Sequence, residues 1–174
     1  MSLLSSLPAD FPASILIVQH IHPKFTPILI RRLSEVSAFP VKEAENGETL
    51  KGSLAYVAPG DHHMEVERRD GGGVVIRLHQ RPPLHGVRPS ADLLFSSVSE
   101  AFLEKAVAVI LTGMGQDGLV GAQAVKRQGG TVLAEAKESC VIYGMPRVVV
   151  EAQVADRVVP LKDMAGEILK IVKR

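Results

Sequence analysis

The sequence contains no strongly basic stretch, and its 20 Lys+Arg are matched by 19 Asp+Glu. Nucleic-acid binders carry a clustered positive surface, so that function class is set aside. A single cysteine, Cys140, excludes an internal disulfide and fits a reducing compartment. No apolar run approaches the roughly 18 residues needed to span a bilayer. Residues 1–10 lack the basic segment and apolar core of a signal peptide. Repeats, linkers and low-complexity segments are missing too. These absences leave a cytoplasmic domain without membrane insertion as the expectation. What is present agrees: 46% apolar residues exclude general disorder, and 174 residues suit one domain.

The most informative stretch is Ala106-Val-Ala-Val-Ile-Leu-Thr-Gly-Met-Gly-Gln-Asp-Gly118. Its apolar start predicts a strand buried in a parallel sheet. Gly113, Gly115 and Gly118 then break the strand, and residues 119–128 show helical spacing. Strand, glycine turn and helix form the layout that brings functional groups to the carboxyl edge of an α/β sheet. Asp117 lies in that turn, as a helix cap or as an orienter of a catalytic base.

Other strands are predicted at 15–18, 41–44, 54–58, 62–67, 73–78, 131–135 and 158–159. Helices are expected over 1–7, from Phe25, from Ser90, from Pro146 and over 161–172, the second with Arg31, Arg32 and Glu35 outward. Pro59-Gly60-Asp61 and Asp70-Gly71-Gly72-Gly73 read as hairpin turns. The fold class expected is α/β, a three-layer doubly wound, mostly parallel sheet with a small antiparallel β excursion around residues 54–78.

Among the six histidines, His20 stands out because it follows the apolar strand at 15–18. On an extended chain His20 and His22 point oppositely, and neither cysteines nor paired carboxylates join them, so no metal site is expected. Cys140 has no cationic setting beyond Lys137 and reads as an ordinary small residue. Two functional readings of the glycine turn remain open. Gly113 to Gly118 satisfies G-x-G-x-x-G between a strand and a helix, and Glu135 ends the next strand, where a ribose-binding carboxylate belongs. Against a dinucleotide there, Asp117 sets a negative charge where the pyrophosphate would lie. Alternatively, His20 and Asp117 are the base and orienter of a hydrolase, and the turn after Thr112 offers backbone N–H groups for an oxyanion, Met114 first.

Several blocks then combine into a resemblance. Ile17-Val-Gln-His20, Tyr56-Val-Ala-Pro-Gly-Asp61, Arg88-Pro-Ser-Ala-Asp92, residues 111–118 and Ser139-Cys-Val-Ile-Tyr-Gly-Met-Pro146 together resemble the catalytic domain of chemotaxis protein-glutamate methylesterases of the CheB type. The resemblance runs in order from about Leu3 to the C-terminus. It implies hydrolysis of glutamate methyl esters on the cytoplasmic helices of chemoreceptors, often with deamidation of receptor glutamines, and it implies no cofactor. His20 matches the family's catalytic histidine, Asp117 its aspartate and Met114 its oxyanion-hole residue. Arg88 and His85, on the Pro-rich loop, are candidate substrate contacts because receptor methylation regions are acidic. The G-x-G-x-x-G match then becomes coincidental.

The family's nucleophile is a serine in a Gly-x-Ser-Thr-Gly-Gly turn upstream of the first helix, and none of Ser2, Ser5, Ser6 or Ser14 has that context. Against the family, the chain reads as a single methylesterase domain over 1–174, shortened at its N-terminus and without a receiver domain. The expectations are severely reduced esterase turnover and self-association through a strand edge beside residues 15–18. The rival function is a catalytically inactive receptor-binding module.

Overall fold

In the computed structural model, residues 2–173 are described. They form two compact units, one ending at Ser90 and one over Ala91–Val172.

In the first unit, helix α1 (Ser2–Ser5) precedes strand β1 (Ser14–Ile17), helix α2 (Thr26–Val36), β2 (Val41–Glu43) and β3 (Leu54–Val57). Met1, part of the helix expected over 1–7, lies outside the described residues. The three strands make a parallel sheet ordered β1-β3-β2, with Ile15 opposite Ala55 and Ile17 opposite Val57. Ala55, Tyr56 and Val57 are all buried, as befits a central strand covered on both faces. On α2 the apolar Leu33 is buried while Arg31, Arg32 and Glu35 are exposed, the pattern the sequence spacing requires.

The antiparallel part is narrower than the turn spacing suggested. It is the hairpin of β4 (His63–Arg68) and β5 (Val74–His79), closed by Arg69 N–H to the Gly73 carbonyl. Gly71, Gly72 and Gly73 all have positive φ there, which favours glycine. Residues 54–57 belong to the parallel sheet instead, and 59–61 is not a hairpin turn. A Cβ on Gly60 would stand 2.5 Å from Pro23 Cα, and Gly60 N–H donates to Thr26 Oγ1 at 3.1 Å. That segment packs against the start of α2 rather than closing a ladder.

The second unit alternates helix and strand: α3 (Ala91–Phe102), β6 (Val107–Ile110), α4 (Leu119–Arg127), β7 (Thr131–Glu135), α5 (Met145–Glu151), β8 (Arg157–Val159) and α6 (Leu161–Val172). Its sheet is parallel, in the order β6-β7-β8. Ala108, Ile110, Ala122, Val125, Val132 and Val149 form its buried core. Helices α3 and α4 touch closely at Gly121, where a Cβ would lie 2.6 Å from Phe95 Cβ and 2.7 Å from the Asp92 carbonyl. Short β-branched strands and a glycine at the helix contact thus produce the expected α/β weave.

Candidate active site

In the second unit, the turn after β6 is held by the loop that carries Ser139 to Met145. Thr112 Oγ1 accepts the Ile142 N–H at 2.8 Å and donates to the Ile142 carbonyl at 3.1 Å. Gly113 N–H donates to the Ile142 carbonyl at 3.0 Å. The Gly113 carbonyl accepts from Gly144 N–H at 3.1 Å and from Met145 N–H at 2.8 Å. A side chain on Gly144 would collide with this backbone, its Cβ 2.6 Å from the Gly113 oxygen and 3.1 Å from Met114 Cα.

These bonds decide the direction of the next N–H. A trans peptide is planar, with the C=O of one residue opposed to the N–H of the following residue. Two donors fix the Gly113 carbonyl, so the Met114 N–H is fixed pointing the other way. Among the described residues it makes no hydrogen bond. Accepting two bonds at the carbonyl also polarises the peptide and strengthens that N–H as a donor. Met114 is 82% exposed. Gly115, at φ 95, reverses the chain directly afterwards.

Asp117 follows in the same turn and is buried. Its Oδ2 accepts the Ala91 N–H at 2.6 Å and its Oδ1 the Asp92 N–H at 3.2 Å, at the N-terminus of α3. The unsatisfied donors and partial positive charge of a helix start suit a carboxylate. Asp92 returns the arrangement, its Oδ1 accepting Gly121 N–H at 2.8 Å. Asp117 is therefore a helix anchor, reaching α3 from 25 positions downstream. Anchoring and orienting a base are compatible uses of one carboxylate, since its oxygens carry several lone pairs.

Glu135, at the end of β7, is fully buried. Its Oε2 accepts the Thr112 N–H at 2.8 Å, and its Oε1 the Ser139 hydroxyl at 3.0 Å. Both oxygens are thus engaged inside the fold and face no ribose. Sequence spacing had pointed at Glu135 for the wrong ligand, and nothing local signals its bond to Thr112. Beside it, burial first and then the Glu135 charge push the Cys140 thiol up to about 11, the setting of an unreactive cysteine.

In the first unit, His20 lies three residues past β1. The strand's ladder continues through Ala58 N–H to the Ile17 carbonyl, and Ile21 N–H to the Gln19 carbonyl at 2.9 Å closes a tight turn centred on His20. Pro23 and Thr26, both held by Gly60, fix the chain that follows. Arg88 is committed to its own loop: Nε donates to Asp61 Oδ1 at 3.0 Å, and Nη1 to the carbonyls of Gln80 and Arg81, each at 2.9 Å. The Arg88 hydrogen bond holds the Asp61 carboxyl below its usual range. His85 is exposed at the tip of a two-residue turn between Leu84 and Val87, with φ of 53 followed by 76 at Gly86. The two candidate substrate contacts thus share one loop. No group of three or more His, Cys, Asp or Glu able to hold a metal occurs among the described residues.

A family profile described as CheB methylesterase matches residues 1–168. The chain belongs to the CheB methylesterase family. The catalytic domain of the Thermotoga maritima CheB methylesterase has the same fold, with a TM-score of 0.95 and 42% identity over 98% of this chain and 90% of that one. The Methanosarcina mazei protein named protein-glutamate methylesterase/protein-glutamine glutaminase 2 is 45% identical over 98% of this chain and 47% of its own length. A Nitratidesulfovibrio vulgaris protein of the same name is 47% identical over 95% of this chain and 45% of its own. The chain therefore spans about half the length of the curated relatives it matches.

Proposed function

We propose that this chain carries the catalytic machinery, apart from the nucleophile, of a protein-glutamate methylesterase that also deamidates glutamines. Its substrates would be methyl esters on the cytoplasmic helices of chemoreceptors, which makes the cytoplasm its compartment. The observation that carries this reading is the unpaired Met114 N–H, aimed by the doubly bonded Gly113 carbonyl. A donor fixed before the reaction stabilises developing oxyanion charge without reorganising. In the proposed mechanism a serine from a Gly-x-Ser turn attacks the ester carbonyl and gives its proton to His20. Met114 N–H holds the oxyanion, and the imidazolium protonates the leaving methoxide to methanol, or the leaving nitrogen of a glutamine to ammonia. Water deprotonated by His20 then hydrolyses the acyl-serine, releasing the glutamate and the serine. Asp117 keeps the imidazole in one tautomer and stabilises its cationic form. Arg88 would serve the acidic receptor region through the loop it clamps, with His85 at the tip of that loop.

The nucleophile is the one part not assigned to a residue of this chain. Removing a triad nucleophile costs on the order of 10⁶ in turnover. Methanol release from methylated receptor should accordingly be near background for the 174-residue polypeptide and should appear when a segment bearing the Gly-x-Ser turn is joined upstream. Activity restored in that chain but not in its His20→Ala form supports the esterase. Receptor binding without turnover in the extended chain would favour the inactive binding module instead. Among the described residues of its unit, strand β1 pairs with β3 alone. Its free edge is the proposed route of self-association, readable as a concentration-dependent mass in sedimentation.

A further inference from the structure

We infer that Glu135 is a positioning residue for the oxyanion turn, its buried carboxylate setting the backbone from which Met114 presents its N–H; this rests on the methylesterase reading. The parallel pairing of β6 with β7 ends at Ile110 opposite Ala134. Beyond that pair β7 stays paired on its β8 side, with Glu135 opposite Val159 and Ala136 N–H donating to the Val159 carbonyl. The β6 side would then lose its main-chain acceptors just before the glycine turn. The Glu135 side chain supplies one, taking the Thr112 N–H at 2.8 Å. In effect it extends the ladder by one bond into the turn.

The position is maintained from behind. Ser139 donates to Glu135 Oε1 at 3.0 Å while its oxygen accepts the Leu161 N–H, also at 3.0 Å, so the start of α6 holds the serine that holds the glutamate. From Thr112 the constraint passes forward without a gap. The Thr112 hydroxyl is tied to Ile142, and both polar groups of the Gly113 backbone are tied to the same loop. The first N–H left unpaired after this series is that of Met114. Without the carboxylate, the Thr112 N–H would lose its partner and the peptide before Thr112 would be free to rotate. A displacement of about 1 Å at a catalytic group can cost on the order of 100-fold in rate.

Glu135→Gln preserves the arrangement in a specific way. Its Oε1 can still accept from Thr112, its amide can donate to Ser139 Oγ, and the serine proton can turn to the Ala136 carbonyl, 3.1 Å away. Glu135→Ala can do none of this.

The test combines amide hydrogen exchange on the chain itself with esterase kinetics on the chain extended by the Gly-x-Ser turn. In E135A, exchange at Thr112 and Gly113 should rise about tenfold or more while α4 and β8 stay protected. Turnover number should fall roughly 10- to 100-fold with KM changed less than about threefold. E135Q should recover most of both losses. Unchanged exchange at Thr112 in E135A overturns the inference, as does equal loss in E135Q and E135A with KM rising in step. If E135A does not fold, Ser139→Ala decides: faster Thr112 exchange supports the role and unchanged exchange overturns it. An extended wild-type chain with no esterase activity would end the methylesterase reading, while exchange at Thr112 would still report on Glu135.

Discussion

Asp117 Oδ2 lies 2.6 Å from the backbone nitrogen of Ala91, so the glycine turn after β6 and the first turn of α3 are joined through one carboxylate. Because each Asp117 oxygen takes one N–H, the two bonds can be removed separately. Asp117→Ala should cost about 1–2 kcal/mol in urea unfolding, the scale of a lost helix cap. Asp117→Asn, whose amide nitrogen cannot accept, should lose about half as much. Equal stability of D117A and wild type would show that the anchor contributes nothing.

Two glycines should respond oppositely to alanine. At Gly144 the new Cβ would meet only backbone, 2.6 Å from the Gly113 oxygen, so neither side chain nor rotamer can yield. Gly144→Ala should destabilise by about 1–3 kcal/mol and disturb the amide signals of residues 113–115. At Gly166, inside α6, nothing lies within 4 Å of the added carbon. Gly166→Ala should stabilise by about 0.5–1 kcal/mol, read as a raised melting temperature.

His63 makes folding sensitive to acid. It is fully buried, its Nε2 lies 3.2 Å from the Pro82 carbonyl, and its Nδ1 has no partner. Burial holds the imidazole below its ordinary 6.5, and the nearby His79, Arg88 and Arg81 charges add to this. The unfolded chain therefore binds a proton more readily than the native one. The stability from the neutral imidazole is complete above pH 6.5 and is lost as pH falls towards the lower native value. Urea titrations should show a slope of up to about 1.4 kcal/mol per pH unit in that window. His63→Phe should flatten it; an identical slope in H63F would assign the acid sensitivity elsewhere.

Cys140 should resist alkylation. With its thiol pushed up to about 11, first by burial and then by Glu135, almost none is thiolate at neutral pH. Iodoacetamide should label it roughly two orders of magnitude more slowly than an unhindered cysteine, and mass spectrometry after a timed quench measures this. Labelling at the rate of a free thiol would contradict the burial argument.

Element positions were largely legible because they follow from short-range pattern. The apolar runs at 106–111 and 131–135 became β6 and β7, and the spacing of Leu33 against Arg31, Arg32 and Glu35 gave the faces of α2. Pairing was less legible. Residues 54–58 and 62–67 both read as strands bounded by turn residues, yet the first run supplies a strand of the parallel sheet and the second a strand of a hairpin. Turn chemistry marks where a strand stops but does not name its neighbour.

The sequence alone determined the family, through blocks such as residues 111–118, and the candidacies of His20, Asp117 and Met114, through residue type at strand ends. Only the tertiary structure decided that Asp117 anchors α3, that Gly113 is held from the 142–145 loop, and that Glu135 serves Thr112 rather than a ribose. The reason is physical. A carboxylate's role is set by the donors that surround it in space, and the deciding ones here, the N–H groups of Ala91, Asp92 and Thr112, come from more than twenty residues away in the chain.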